Sequence, residues 1–274
     1  MKLLSASLLC LAMFASNMTG AETPRKTPYF RPKQITLKPR QAGPAVVNAA
    51  SFLPGVSPGG LASIFGQDLS SVTGTLVATT NPLPTQLADV SVSVNGVLAP
   101  LFVVALSASQ DQINFQVPYE TPTGPGAADI EILNDGNPIA SIQADSFTED
   151  PGIFEYQGNY AVALNGTTNS LIGPNNPALP GDVVVLYVTG LGPLNQNLVD
   201  GFGGPSNPPA DTVDPFEVLV AGEQCTVLFS GLAPGFVGLY QINLVLPGDL
   251  PAGNLDIQIQ SQYANSQTAQ LPVD

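Results

Sequence analysis

The stretch Gln112-Ile113-Asn114-Phe115-Gln116-Val117-Pro118 occurs twice in this sequence, and its second copy reads Gln241-Ile242-Asn243-Leu244-Val245-Leu246-Pro247. In both copies the larger apolar residues fall at alternate positions, which is the pattern of a β-strand with one face buried. The proline that closes each copy cannot donate to a sheet ladder and predicts the end of the strand. Because a repeated strand indicates a repeated unit, we predict two tandem β-sandwiches.

Other landmarks recur in the same order around the two copies. Pro58-Gly59-Gly60 before a short apolar run matches Pro180-Gly181-Asp182, and the hairpin dipeptide Asn95-Gly96 matches Ala221-Gly222. Short strands separated by turns of Gly, Pro and Asn, with no clear helical period, are typical of an immunoglobulin-like fold. The predicted fold class is therefore all-β, with two tandem immunoglobulin-like antiparallel β-sandwiches.

The chain divides into four segments by composition. Residues 1–21 join Lys2 to an apolar run and end in small residues, which predicts a cleaved secretory signal peptide. Residues 22–44 hold six of the seven basic residues among several prolines and predict an extended basic arm. The two sandwiches are expected at 45–149 and 150–274. Since no later run is long enough to cross a bilayer, we expect a secreted or cell-surface protein without a transmembrane segment once the signal is removed.

Charge is divided unevenly along the chain. Residues 41–274 contain 20 of the 21 acidic residues and no Lys, Arg or His, so their formal charge is −20, although the whole chain carries −14. Such a surface keeps a protein soluble. It cannot neutralise phosphates, which excludes a nucleic-acid partner for this part of the chain. The functional alternatives are that the acidic body binds divalent cations or a cationic partner. The basic arm could also fold back on the acidic body or hold to an anionic envelope surface.

The residues present exclude most enzyme mechanisms. A serine or cysteine nucleophile needs a neighbouring base, usually His or Lys, and residues 41–274 contain neither. Cys225 alternates with Val227 and Phe229 and is predicted to be a buried apolar residue, with a reactive thiol or an intermolecular disulfide as the alternative. Two carboxylates acting across a cleft would still permit hydrolysis. We predict a non-catalytic protein without catalytic or cofactor-binding residues.

Calcium binding is the open alternative to a protein without a metal site. Hard cations take several carboxylate and carbonyl oxygens from loops. The sequence groups acidic residues in two such places, namely Asp145, Glu149 and Asp150 at the predicted domain boundary and Asp211, Asp214 and Glu217 in a loop rich in Pro and Asn. Because neither group has the spacing of an EF-hand, we predict solvated surface acids there and keep calcium as the alternative.

Two further patterns allow a functional and a structural interpretation. Thr189-Gly190-Leu191-Gly192 resembles the start of a dinucleotide-binding loop but lacks the third glycine and a following helix, so we interpret it as a turn. The repeated amides could form a recognition face, or they could either bond neighbouring loop backbone or face the other domain, and we favour the second interpretation. These amides are Gln112, Asn114, Gln116, Gln241 and Asn243.

Six segments, taken together, resemble the Solibacter-type C-terminal domain of secreted acidobacterial proteins, a family of uncharacterised function. The resemblance runs from about Val46 to Asp274 and is specific only in combination. Its segments are Val47-Asn48-Ala49-Ala50-Ser51, Pro58-Gly59-Gly60-Leu61, Asp111 to Pro118, Pro151-Gly152-Ile153-Phe154, Tyr187 to Gly192, and Gly238 to Asn243. Each half is also similar to the IPT/TIG branch of immunoglobulin-like domains. The resemblance implies an extracellular β module and supplies no catalytic residues.

The sequence therefore predicts a secreted or cell-surface, non-catalytic β-sandwich module that interacts with a protein or cell-envelope partner. In the family it resembles, the domain usually ends a longer protein, whereas here it follows the basic arm, so a role as a simple C-terminal appendage is not expected. The alternative is a ligand-binding or carboxylate-based hydrolytic protein that acts on an extracellular polymer. The two differ in geometry, because a hydrolase needs a deep cleft with two facing acids.

Overall fold

A computed structural model describes residues 43–70, 74–106 and 110–274. The predicted signal peptide and residues 22–42 of the predicted arm lie outside the described residues. Within the described ranges every regular element is a β-strand, which confirms the all-β prediction. No helix among these residues has the length and apolar character needed to span a bilayer.

The strands follow one another along two halves of the chain. In the first half they are β1 (Ala45–Asn48), β2 (Leu61–Gly66), β3 (Gly74–Val77), β4 (Gln86–Leu87), β5 (Val90–Val94), β6 (Val97–Leu98), β7 (Leu101–Leu106), β8 (Asp111–Gln116), β9 (Gly124–Asn134) and β10 (Asn137–Ser146). In the second half they are β11 (Gly152–Ile153), β12 (Glu155–Tyr156), β13 (Tyr160–Ala161), β14 (Ala163–Asn165), β15 (Val183–Thr189), β16 (Glu217–Val220), β17 (Glu223–Gln224), β18 (Thr226–Leu232), β19 (Tyr240–Val245), β20 (Gly253–Gln260) and β21 (Ala269–Val273).

Two sheets face each other in each half. The first half has the orders β1-β2-β8-β7-β3 and β10-β9-β5-β4, with β6 paired to β5. The second half has the orders β11-β15-β19-β18 and β12-β13-β21-β20-β16-β17, with β14 paired to β15. The two copies of the repeated stretch are β8 and β19, and they occupy equivalent positions, between β2 and β7 and between β15 and β18. The sequence repeat is therefore a repeat of topology.

The two predicted hairpin turns also have the same conformation. Asn95 and Gly96 have φ of 52° and 83°, and Ala221 and Gly222 have φ of 52° and 85°. Positive φ at both central residues is the mark of a type I′ turn, which matches the twist of the strands it joins. The strands pair directly on either side of each turn, β5 with β6 and β16 with β17.

The sequence after the Asn95-Gly96 turn predicts one return strand from Val97 to Val104. This prediction is wrong, because the structure has two strands there. β6 pairs with β5, whereas β7 pairs with β8 in the facing sheet. The chain changes sheets at Ala99-Pro100, where proline has no amide hydrogen to continue the first ladder. Ala99 and Leu101 on either side are fully buried, so the alternation of the sequence does not reveal the change.

Each half has its own apolar core between its sheets. Ile64 and Ile132 are among the residues of the first core, and Leu186 and Ile257 are among those of the second. Cys225 belongs to the second core and is buried, and burial raises the pKa of its thiol to about 11. The prediction of a buried, apolar cysteine is confirmed.

A third buried cluster, called the junction core below, joins the two halves. It consists of Ala49, Ala50, Leu61, Phe102, Val103, Phe154, Tyr156, Val162, Tyr187, Ala233, Val237 and Leu239. Since β2 and β15 each place alternate residues in their own core, the intervening Leu61 and Tyr187 point away from it and into the junction core. The predicted boundary at 149/150 falls between β10 and β11 and stays a prediction.

Candidate functional site at the junction of the two sandwiches

The amides of the first repeated strand lie inside the protein. Gln112, Asn114 and Gln116 are 6%, 5% and 0% exposed. Gln112 Nε2 and Ser63 Oγ donate to Asn114 Oδ1 at 2.8 and 3.0 Å. Gln116 Oε1 accepts from the amide of Gly201 in the second sandwich at 2.7 Å. The favoured interpretation is therefore confirmed for Gln116, whereas Gln112 and Asn114 bond to side chains of their own sheet.

The second copy keeps the same internal contact in a more open setting. Gln241 Nε2 donates to Asn243 Oδ1 at 3.2 Å, just as Gln112 donates to Asn114. Gln241 and Asn243 are only half-buried. Both copies therefore keep the hydrogen bond between the Gln and Asn side chains, but only in the first copy are these side chains buried.

Asn48, at the end of β1, binds the connecting segment, residues 147–151, which joins β10 of the first sandwich to β11 of the second. Its side-chain Oδ1 accepts from the amides of Ala50 and Ser51 at 2.8 and 3.1 Å, which closes a local turn. Its Nδ2 donates to the backbone carbonyl of Asp150 at 2.7 Å and to Asp150 Oδ2 at 3.1 Å. One buried amide thus holds the connecting segment against the first sandwich.

Thr189, the last residue of β15, bridges the halves in a similar way. Its Oγ1 accepts from the amide of Leu61 in β2 at 2.8 Å and donates to the carbonyl of Gly238 at 3.0 Å. The side chain is fully buried, so both hydrogen bonds are shielded from water.

The connecting segment packs directly against the glycines that follow Thr189. Gly190 and Gly192 have φ of 76° and 79°, which favours glycine. A Cβ on Gly190 would overlap the carbonyl oxygen of Asp150, and one on Gly192 would lie 2.6 Å from the carbonyl oxygen of Thr148. The interpretation of this motif as a turn agrees with these angles, and the structure adds that the connecting backbone lies directly on it.

All six segments that carry the family resemblance therefore contribute to the junction. They do so through Asn48, Leu61, Gln116, Phe154, Thr189 and Gly238. The sequence alone does not reveal this shared role. No local pattern indicates it, because the partners are 102 residues apart for Asn48 and Asp150 and 128 for Leu61 and Thr189.

An open cleft of about 430 Å³ lies beside the junction. It is lined by Thr123, Gly124, the segment 146–150, Tyr263 and Ala264. Phe147 and Tyr263 on its rim are 42% and 60% exposed. The cleft thus combines aromatic surface with two of the acidic residues predicted as calcium candidates, Glu149 and Asp150.

Glu149 is buried on the wall of this cleft, with 1% of its surface exposed. Neither carboxylate oxygen accepts a hydrogen bond from any described residue. Burial raises the pKa of Glu149, the nearby Ser261 hydroxyl lowers it, and the Asp214 carboxylate raises it further. The Ser261 hydroxyl itself donates to the carbonyl of Ala264 at 3.1 Å, so its hydrogen is already engaged.

The other calcium candidates have different surroundings. Asp150 binds Asn48, and burial raises its pKa while the Asn48 amide lowers it. Asp145 is exposed and accepts from the amide of Gly126 at 2.7 Å, and Glu217 is exposed on β16. Asp211 accepts from Asn195 Nδ2 at 3.4 Å.

Neither predicted triplet of acids forms a cluster of three. Over the ranges that the structure describes, no group of three or more His, Cys, Asp and Glu side chains is arranged to hold a metal ion. The Asp214 carboxylate, from the second triplet, instead raises the pKa of Glu149 in the first. Sequence proximity was the wrong guide here, because the two residues lie on different loops.

Asp200 makes a further polar contact across the junction, and its pKa leads to a prediction about the pH dependence of stability. Its Oδ1 accepts from the amide of Tyr119 at 3.0 Å. Burial raises the pKa of Asp200 to about 6, the Tyr119 amide lowers it, and Glu120 raises it. Between about pH 4 and 6 the folded state keeps the proton on Asp200, whereas the unfolded state has lost it. The free energy of unfolding therefore falls as the pH rises through that window.

We expect Asp200→Asn to keep the acceptor for Tyr119 and to remove the buried charge. The variant should be more stable at pH 7.5 by on the order of 1 kcal/mol, a figure reduced for solvent screening at a half-buried group. Its stability should also depend less on pH between 4 and 7. Urea unfolding across this range measures both effects. Asp249→Asn, which removes an exposed charge from the same sandwich, is the control, and an equal gain in both variants would show a net-charge effect only.

No family model matches this sequence, and a comparison with curated proteins finds no match. Among solved structures, a mixed-linkage glucan utilization protein of Bacteroides ovatus in complex with a heptasaccharide has a TM-score of 0.31 at 12% identity, with 80% of this chain and 43% of that chain covered. The titin I9–I11 tandem gives 0.21 at 12% identity, with 80% and 62% covered. Domains 5–6 of the S-layer protein SbsC give 0.23 at 14% identity, with 84% and 95% covered.

The strand orders described above decide the architecture. The two halves are tandem immunoglobulin-like sandwiches. At these TM-scores the solved structures carry no argument about what this chain binds, and the chain spans less than two thirds of the first two of them.

Proposed function

We propose that this chain is a secreted or cell-surface, non-catalytic module that binds a protein or cell-envelope partner through the cleft beside its junction. The observation that carries the proposal is that two exposed aromatic side chains, Phe147 and Tyr263, line the same cleft. Aromatic side chains are enriched at binding interfaces because they bury a large area at a small cost in conformational entropy. A rigid setting lowers the cost of binding further.

The positions of the acids at the cleft favour binding over hydrolysis. A carboxylate-based hydrolase places two acids on opposite sides of the scissile bond. Glu149 and Asp150 are neighbours in the chain, the side chain of Asp150 is held by Asn48, and that of Glu149 packs on Gly192. A ligand-binding protein for an extracellular polymer is the second candidate, because the same aromatic pair would suit a sugar ring.

We also propose that the chain belongs to the Solibacter-type family, with halves of the IPT/TIG kind, and that it is exported through its signal peptide. The convergence of all six resemblance segments on one junction supports the family assignment, because unrelated matches would have no reason to meet in space. The basic arm, with its like charges, is proposed as a tether or docking segment for an anionic surface.

Sedimentation of the mature chain with isolated cell envelope tests this function. The double variant Phe147→Ala/Tyr263→Ala is expected to bind at least about tenfold more weakly, since buried aromatic anchors dominate interface energies. Leu228→Ala, which removes a 58% exposed side chain on β18, is the matched control and should bind normally. Comparing residues 22–274 with 41–274 separates binding by the arm from binding by the sandwiches.

Two results would contradict the proposal. One is unchanged envelope binding by the double aromatic variant. The other is cleavage of an envelope polymer that disappears in Glu149→Gln, because this would identify the cleft as a hydrolytic site.

A further inference from the structure

Glu149 is a buried carboxylate that nothing described in the structure neutralises. It is 1% exposed, and both oxygens lack a hydrogen-bond donor within the described ranges. An ionised carboxylate without a partner is costly to bury, so such a group either takes up a proton or binds a cation. Residues 41–274 contain no Lys, Arg or His, so the cation cannot be a side chain of the folded body.

A second carboxylate adjoins it. Asp214, from the loop before β16, has a long contact of 3.5 Å between its Oδ1 and Gln262 Nε2, and the next residue in the chain, Tyr263, lines the cleft together with Glu149. The Asp214 carboxylate also raises the pKa of Glu149. The hydroxyl of Ser146, on the same cleft wall as Glu149, is also buried without a hydrogen-bond partner among the described residues. Oxygen atoms without donors thus gather beside the cleft.

We propose that Glu149 and Asp214 bind a calcium ion at the wall of the cleft. The ion would link the segment that connects the sandwiches to the loop before β16, and so stabilise the junction. This inference goes beyond the proposed binding of a partner and does not depend on it.

The donor set explains why calcium is the ion of choice. Hard carboxylate oxygens suit calcium and magnesium, whereas sites for transition metals normally include His or Cys. Two carboxylates supply up to four of the six to eight oxygens that calcium takes. Magnesium requires a strict octahedron and gives up its water reluctantly. With two acids the affinity should lie in the range of extracellular calcium modules, about 10⁻⁴ to 10⁻³ M.

Thermal unfolding of the mature chain at pH 7.5 in 150 mM NaCl tests the proposal, with 5 mM CaCl₂ compared with EGTA. Calcium is expected to raise the Tm by about 3 °C, because an ion that binds only the folded state stabilises it by mass action. Magnesium at the same concentration should raise it less. Glu149→Gln and Asp214→Asn should abolish the calcium effect, whereas the matched controls Asp145→Asn and Glu217→Gln should keep it.

Terbium luminescence provides a readout that is independent of stability. Tyr263 lines the cleft, and the chain contains no Trp. Terbium bound there should be sensitised by tyrosine, displaced by calcium, and dimmed in Tyr263→Phe. Loss of the signal in Glu149→Gln, measured on a variant that still unfolds cooperatively, would separate lost binding from lost folding.

Three outcomes overturn the inference. The first is a Tm that does not differ between calcium and EGTA. The second is a calcium effect that falls equally in all four variants, since this would be non-specific binding to an acidic surface. The third is a Glu149→Gln variant that gains stability while the unmodified chain ignores calcium, because Glu149 would then be neutralised by a proton.

Discussion

Replacing Gly190 with alanine is expected to destabilise the protein by about 3–5 kcal/mol and to lower its urea midpoint accordingly. A non-glycine residue at φ of 76° costs about 1–2 kcal/mol by itself. The added Cβ would also overlap the carbonyl oxygen of Asp150, and overpacking adds about 1–3 kcal/mol. The backbone cannot move away easily, because Asn48 and the amide-to-carbonyl bond from Asp150 to Gly190, at 2.8 Å, hold it.

Gly181→Ala is the matched control for Gly190→Ala. Gly181 also has a positive φ, of 86°, but no described atom lies within 4 Å of a Cβ added there. The control should therefore lose only the backbone term of about 1–2 kcal/mol. Equal losses in the two variants would show that the connecting segment does not rest on Gly190.

Phe154→Ala is expected to cost about 3–5 kcal/mol, as is usual when a buried aromatic side chain is deleted from a core. Phe154 is 1% exposed and lies in the junction core, where it packs with residues of both sandwiches. Its loss should therefore weaken the coupling of the halves as well as their stability. We expect calorimetry to show one transition in the unmodified protein and two in the variant.

Phe202→Ala makes the same chemical change at a residue that is 49% exposed and should cost less than about 0.5 kcal/mol. A Phe154→Ala variant that unfolds in a single transition at the midpoint of the unmodified protein would contradict the role of the junction core.

The sequence was sufficient for the architecture because alternation and repetition are local signals. Ile113 and Phe115 predict a half-buried strand from their spacing alone, and the second copy predicts the second sandwich. The change of sheets at Ala99-Pro100 could not be seen, since apolar residues on both sides hide the turn. The short strands β12 to β14 were missed as well, because two or three residues carry no period.

The site was less predictable than the fold for a different reason. The alternation of apolar residues reveals that one face of a strand is buried, but it does not reveal which part of the protein packs on that face. In the sequence, Thr189 has the pattern of an ordinary strand end, and only the structure shows that the amide of Leu61 donates to it across the junction. Likewise, the sequence puts Glu149 and Asp214 in separate groups of acids, whereas in the folded protein the Asp214 carboxylate raises the pKa of Glu149.

The asymmetry of the two repeated strands has a mechanical consequence. Every residue of β8 is buried, whereas every second residue of β19 is only half-buried, so the two sandwiches have different roles in the pair. Because the sandwiches share a buried layer, tension applied to the chain cannot pull them apart without exposing the junction core. The pair should therefore unfold as a single mechanical unit and not as two independent domains.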